Sequence, residues 1–223
     1  MSLSSAKLAS AEPFSPTVTV FDYAWPRNIT PLERIILAAS GDLQRMLSAF
    51  FAHPIMIDLV FSQTSPSGRP SETASPSEPI VQRRQVHLLC QGRTVCVATS
   101  SVTITSPECA HLFLDEKYAI GQLFRAVGKV PKFSLLKVGH GPAEETQRQK
   151  CEREDEDGPT TLWRRYTLEV EGFGCDIVEV FPDREMFVQS EEWLDRQPLQ
   201  TACQRALQAA QNLLDPPGAP TVS

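Results

Sequence analysis

No stretch of this sequence approaches the ~18 consecutive apolar residues that a membrane-crossing helix needs, so no span is expected. Basic residues are also in short supply. The 21 Lys and Arg stand against 27 Asp and Glu, and a net charge of −6 argues against a nucleic-acid partner, which needs a clustered basic face. Only Arg83-Arg84 and Arg164-Arg165 offer a local anion pocket. The four histidines, His53, His87, His111 and His140, form neither H-x-x-H nor H-E-x-x-H, and the six cysteines contain no C-x-x-C pair. A zinc site therefore has no support in the spacing. Most of the cysteines lie inside apolar runs as small hydrophobes, which points to a reducing compartment and an expected cytoplasmic location. G-x-S-x-G, P-loop and dinucleotide-binding fingerprints are missing, as is the continuous apolar core of a secretory signal near Met1. The acidic run Glu152-Arg153-Glu154-Asp155-Glu156-Asp157 sits in a polar stretch and reads as solvated charge, not as an oxygen-ligand cage. What survives is a pocket of arginine and glutamate that calls for no metal or organic cofactor.

An apolar fraction of 41% over 223 residues suits one globular domain with decorated loops. The expected organisation is a flexible arm over 1–28, a single domain over 29–214 and a tail over 215–223, with polar insertions near 64–79 and 139–159. Thr30-Pro31-Leu32-Glu33 carries a helix start, with Thr30 as cap, Pro31 in the first position and Glu33 closing a capping box. That helix should stop near Gly41. Asp42 can then cap a second helix in which Leu43, Met46, Leu47, Phe50 and Phe51 recur at helical spacing before Pro54. Residues 55–62 are β-prone, and the Ser/Pro-rich segment after them predicts a mobile loop. Two strands follow between Arg83 and Ile104 around Gln91-Gly92-Arg93, with Arg84 at the entrance to the first. Ser106-Pro107-Glu108 opens a short helix, and a helical segment follows at 119–124, where Gly121 suggests a close approach of helix or ligand. Phe133–Val138 reads as a strand, Ser190 as the cap of a short helix at 191–193, and 198–214 as an amphipathic helix.

The stretch from Leu162 to Phe181 organises the rest. Two β-rich runs flank Gly172-Phe173-Gly174 and read as a hairpin, since glycine supplies the positive φ of a tight turn. With a two-residue loop, Glu179 lies opposite Tyr166, and Leu168, Ile177 and Phe181 share its face. A carboxylate on an apolar face must find a cation or a donor, or keep its proton. Glu179 is thus either a rim residue paired with an arginine or part of a site.

Six motifs in order, Leu32-Glu33-Arg34-Ile35-Ile36-Leu37 with Gly41-Asp42, Arg84-Gln85-Val86-His87-Leu88-Leu89, Ala98-Thr99-Ser100, Ile120-Gly121, Leu162-Trp163-Arg164-Arg165 and Glu179-Val180-Phe181, resemble the chorismate lyase (chorismate pyruvate-lyase) family. The likeness runs from about residue 32 to 182. It implies an α+β fold, a single antiparallel sheet of about six strands with helices packed on it and the ligand buried within, which agrees with the elements read from the residues. By that resemblance Arg84 holds the ligand's ring carboxylate and Glu179 meets the ring hydroxyl. Leu59 and Ile120 offer main-chain contacts there, with Gly121 beside them, and Ala98 leaves room for the ring. Glycine often stands in the family where this chain has Ala98, proline where it has Ala119, and the two insertions are absent from the compact bacterial form.

The implied reaction is a cofactor-free lyase step that removes pyruvate from chorismate and leaves 4-hydroxybenzoate. Arg84 suits the ring carboxylate because its planar fork binds bidentately. Arg164 or Arg165 is expected to meet the second carboxylate, and strand alternation lets only one of them face inward, next to Tyr166. Glu179 either positions the hydroxyl or serves as general base. Two alternatives stand beside this reading. One is a related enzyme of secondary metabolism acting on another small aromatic or polyketide-like acid, and the other is a non-catalytic module that binds aromatic acids. All three have a small cyclic carboxylate as partner.

Overall fold

The computed structural model of the protein describes residues 21–141 and 161–195. Residues 1–20 of the arm expected over 1–28, residues 142–159 of the insertion expected near 139–159, the helix over 198–214 and the tail lie outside the described residues.

Local chemistry sets the first elements. Helix α1 (Pro31–Leu37) begins with the expected capping box: the Glu33 N–H donates to Thr30 Oγ1 at 3.3 Å, and the Thr30 N–H donates to Glu33 Oε2 at 2.8 Å. Helix α2 (Leu43–Phe51) follows a sharp corner at Gly41-Asp42. Asp42 does not cap it as expected. Its backbone is left-handed at φ +60°, no cap hydrogen bond forms, and its carboxylate pairs with Arg45 at 3.3 Å instead.

Strands β1 (Ile55–Ser65), β2 (Ile80–Cys90) and β3 (Arg93–Ile104) form one antiparallel meander, and β4 (Lys132–His140), β5 (Leu162–Val170) and β6 (Phe173–Phe181) form another. The two join through β3 and β6, so the single sheet has the order β1-β2-β3-β6-β5-β4. Short helices α3 (Pro107–Ala110, continuing as a π-helical turn over His111–Asp115) and α4 (Ile120–Ala126) fill the connection from β3 to β4. After β6 come α5 (Met186–Gln189) and α6 (Glu191–Asp195). The expected α+β class and six-stranded antiparallel sheet are therefore present.

The Ser/Pro-rich stretch after β1 departs from its expectation as a mobile loop. Ser71 Oγ donates to Asp115 Oδ1 at 3.0 Å, Arg69 Nε donates to Thr73 Oγ1 at 2.8 Å and its guanidinium pairs with Glu78, while Ala74 is buried in the core. Composition alone misses such mutual polar bonding, which anchors the loop to the π-helical turn.

The register places two rows side by side across the sheet. Val86, Ala98, Glu179, Arg164 and Val138 form one, and Arg84, Ser100, Ile177, Tyr166 and Leu135 form the next. The apolar neighbours of these rows divide into two cores on the same face. Leu37, Leu47 and Phe51 of α1 and α2, fully buried, pack with Leu88, Cys96, Leu162 and Phe181. Phe113, Leu123 and Phe124 pack with Ile104, Tyr166, Leu168, Phe173 and Ile177. Each fully buried Leu or Phe contributes about 1.5–3 kcal/mol. The cores hold the helices apart as much as they hold the sheet together, and a cavity lies between them.

Candidate functional site

The floor of that cavity is the strand face just described. Arg84, Val86 and Leu88 of β2, Ala98 and Ser100 of β3, Ile177 and Glu179 of β6, and Tyr166 and Leu168 of β5 line it. Its volume is about 530 Å³, within the range of about 300–1,000 Å³ usual for small-molecule sites. The corner Ser40-Gly41-Asp42 with Leu43 and Gln44 forms one wall, and Ile120, Gly121, Phe124 and Arg125 of α4 form the other.

In and under the floor lies a buried group of three, an arginine, a glutamate and a neutral tyrosine. The two-residue turn is Glu171-Gly172, with Gly172 at φ +85°, so Arg164 and not Tyr166 stands opposite Glu179. Arg164 Nε donates to Glu179 Oε2 at 2.6 Å, and Tyr166 Oη donates to Oε1 at 2.8 Å. Arg164 is 0% exposed and Glu179 5%. The guanidinium also donates through Nη1 to the carbonyls of Ile36, Leu37 and Ala39 at 3.2, 2.8 and 2.7 Å. These oxygens lie at and just beyond the end of α1, where the Ile36 carbonyl also accepts from the Ala39 N–H at 3.2 Å, and a cation there suits the helix dipole. Burial pulls the Arg164 pKa down, but the Glu179 carboxylate and the Tyr166 ring outweigh it and the net direction is up. Burial, reinforced by Glu179, pushes the Tyr166 hydroxyl well above its usual range. Arg164 thus ties the floor of the cavity to the corner that makes its wall.

Arg84 is placed differently. It faces the cavity from β2, in register with Ser100 on one side and Ser62 on the other, and its guanidinium carbon lies 5.4 Å from the Phe113 ring centroid. No carboxylate or hydrogen-bond partner engages it among the described residues, and burial alone moves its pKa, downward. A half-buried guanidinium on an aromatic ring, without a counter-ion, is a ready anion receptor. The unpaired cation and the committed glutamate occupy adjacent rows of one floor.

The residues expected to form the site separate accordingly. Arg84, Ala98, Ile120, Gly121, Tyr166 and Glu179 all line the one cavity. Leu59 shares the face of Ile57, which is part of the lining, but Leu59 itself is 55% exposed and outside it. Neither arginine expected to meet a second carboxylate lines the cavity. Arg164 is outside the lining, with Nε and Nη1 donating to protein acceptors and Nη2 buried without a hydrogen-bond partner among the described residues. Arg165 is on the opposite sheet face, where Nε and Nη2 donate to Asp176 at 3.0 and 2.5 Å. The residues that sequence reasoning missed include the corner Ser40–Gln44, Ser100, Phe124, Leu168, Ile177 and Arg125. Arg125 carried a signal, since it stands four residues after Gly121 and so on the same helix face. Among the described residues, no group of three His, Cys, Asp or Glu is arranged to hold a metal ion, and no helix is long and apolar enough to cross a membrane.

No protein-family model matches the chain, and no curated protein matches it significantly in sequence.

Proposed function

We propose that the cavity binds a small cyclic carboxylic acid and that the protein is a lyase of the chorismate type, releasing pyruvate and 4-hydroxybenzoate. The observation that carries this reading is the unpaired Arg84 beside Phe113, facing the same apolar cavity as Glu179. A ring carboxylate on Arg84 gains a bidentate charge-assisted pair, and Phe124, Leu168, Ile177 and Ala98 supply apolar contact for the ring. In the reaction the ether C–O bond breaks together with the C–H bond at the hydroxyl-bearing ring carbon. The proton ends on the methylene carbon of the departing enolpyruvyl group, so no net proton is gained or lost. Aromatisation drives the step, and the protein's task is largely orientation.

Glu179 then acts as a positioning residue. Both of its oxygens already accept from Arg164 and Tyr166, and a proton placed on it would leave the buried Arg164 charge uncompensated. An acceptor fixed in this way can still take one further hydrogen bond, from a ring hydroxyl. The same commitment of Glu179 favours, as a second reading, an aromatic-acid-binding module without turnover.

The test is to incubate the purified protein with chorismate and quantify both products by chromatography, with Arg84→Ala as control. Pyruvate and 4-hydroxybenzoate in equal amounts, lost in the control, support the lyase. A folded protein that binds 4-hydroxybenzoate but forms neither product supports the binding module.

A further inference from the structure

The charge balance around the cavity bears on which carboxylic acids fit it. Five charged side chains line it: Arg84, Arg125, Lys129, Asp42 and Glu179. Three of these have partners. Glu179 pairs with Arg164 at 2.6 Å, Asp42 with Arg45 at 3.3 Å, and Lys129 with Glu171 at 3.2 Å. Arg84 and Arg125 remain, and no ion pair or hydrogen bond engages either among the described residues. They stand on different elements, Arg84 on the sheet floor and Arg125 on α4.

The Arg125 side chain lies back along its helix, as helical side chains do. Its Nη1 is 4.0 Å from where a β-carbon on Gly121 would stand, so the guanidinium covers the first turn of α4, and Ile120, Gly121 and Gln122 of that turn are themselves part of the lining. The glycine leaves open space beside the guanidinium. Arg84 is half-buried, while Arg125 is exposed at the mouth. One cation therefore meets the enclosed end of a ligand and the other its outer end.

We infer that Arg125 is a specificity-determining residue that reads a second carboxylate, so that the site selects dianionic over monoanionic cyclic acids. This rests on the carboxylate-site reading proposed above and adds the charge of the ligand to it. It also assigns the role that neither Arg164 nor Arg165 is placed to fill.

The experiment is calorimetric titration of the whole chain with two stable ligands, 3-methoxybenzoate as monoanion and 3-(carboxymethoxy)benzoate as dianion. Wild type should bind the dianion about tenfold more tightly, the gain of one solvent-accessible charge-assisted contact. Arg125→Gln should abolish that preference while keeping the affinity for the monoanion within about twofold, and Arg84→Gln should weaken both ligands. The preference should also shrink at high salt, because Arg125 is exposed. An exposed Gln on α4 leaves the core untouched, and an unchanged thermal midpoint checks this. An undiminished preference for the dianion in Arg125→Gln overturns the role of Arg125 and leaves the Arg84 site standing. Failure of wild type to bind either ligand overturns the carboxylate site itself, and this proposal with it.

Discussion

Replacing Arg164 with Met keeps an unbranched apolar stem in the core but deletes the donor to Glu179 and the donor to the three carbonyls at the end of α1. Glu179, at 5% exposure, would be left with the Tyr166 hydroxyl as its one hydrogen bond from the group of three. Removing one partner of a buried ion pair costs about 3–5 kcal/mol, and each buried acceptor left unpaired costs about 1–3 kcal/mol. The contributions overlap because the corner at Ser40 can shift and admit water. A loss of about 5 kcal/mol is expected, against a total stability of about 5–15 kcal/mol for an ordinary domain. Urea unfolding followed by tryptophan fluorescence reads this as a midpoint lower by about 2 M, for a slope of about 2–3 kcal/mol/M. A second variant isolates the ion pair: adding Glu179→Gln to Arg164→Met removes the orphaned charge and should recover part of the loss. A loss under about 1 kcal/mol in Arg164→Met, with no recovery in the double variant, would refute the assignment of Arg164 as the tie between floor and wall.

Other outcomes follow from single contacts. Tyr166→Phe removes one hydrogen bond to the buried carboxylate and should cost about 1.5–3 kcal/mol by the same unfolding assay. Gly139→Ala would place its β-carbon 2.5 Å from the ring of buried Trp163, so a loss of about 1–3 kcal/mol and a shifted tryptophan emission are expected. Burial lowers the His87 pKa below its ordinary 6.5, and Asp58 offsets part of this. As pH falls below 6.5 the unfolded chain takes up a proton that the folded chain resists, so stability should fall with pH there and the fall should be shallower in His87→Gln. A pH-stability profile identical to wild type in that variant would remove His87 as a cause.

Features fixed by near neighbours were legible in the sequence, and those fixed by distant ones were not. The Thr30 and Glu33 box spans three residues and forms as read. The sheet face of Glu179 was also legible, although its register was not. A loop placed at Gly172-Phe173 instead of Glu171-Gly172 slides the hairpin by two residues, and a slip of two keeps every side chain on its face while changing its partner. Tyr166, Ile177 and Phe181 therefore stayed with Glu179, but the residue opposite became Arg164. The reach of Arg164 to carbonyls more than 120 positions away leaves no local pattern to read. Asp42 illustrates a local signal overruled, since the corner after α1 forces it into left-handed backbone where its side chain cannot serve the helix. The Arg83-Arg84 pair was legible as a local anion pocket and the resemblance gave Arg84 its role, but its lack of a partner, which gives it chemical meaning, is a property of the folded chain.

Arg84 is proposed to anchor a cyclic carboxylate between the two cores. A crystal structure of the protein with 4-hydroxybenzoate tests this most directly. The carboxylate is expected within about 3 Å of the Arg84 guanidinium nitrogens, with the ring between Ala98 and Phe124 and the hydroxyl directed to Glu179. A ligand held elsewhere with this cavity empty, or bound in it with its carboxylate away from Arg84, would contradict it.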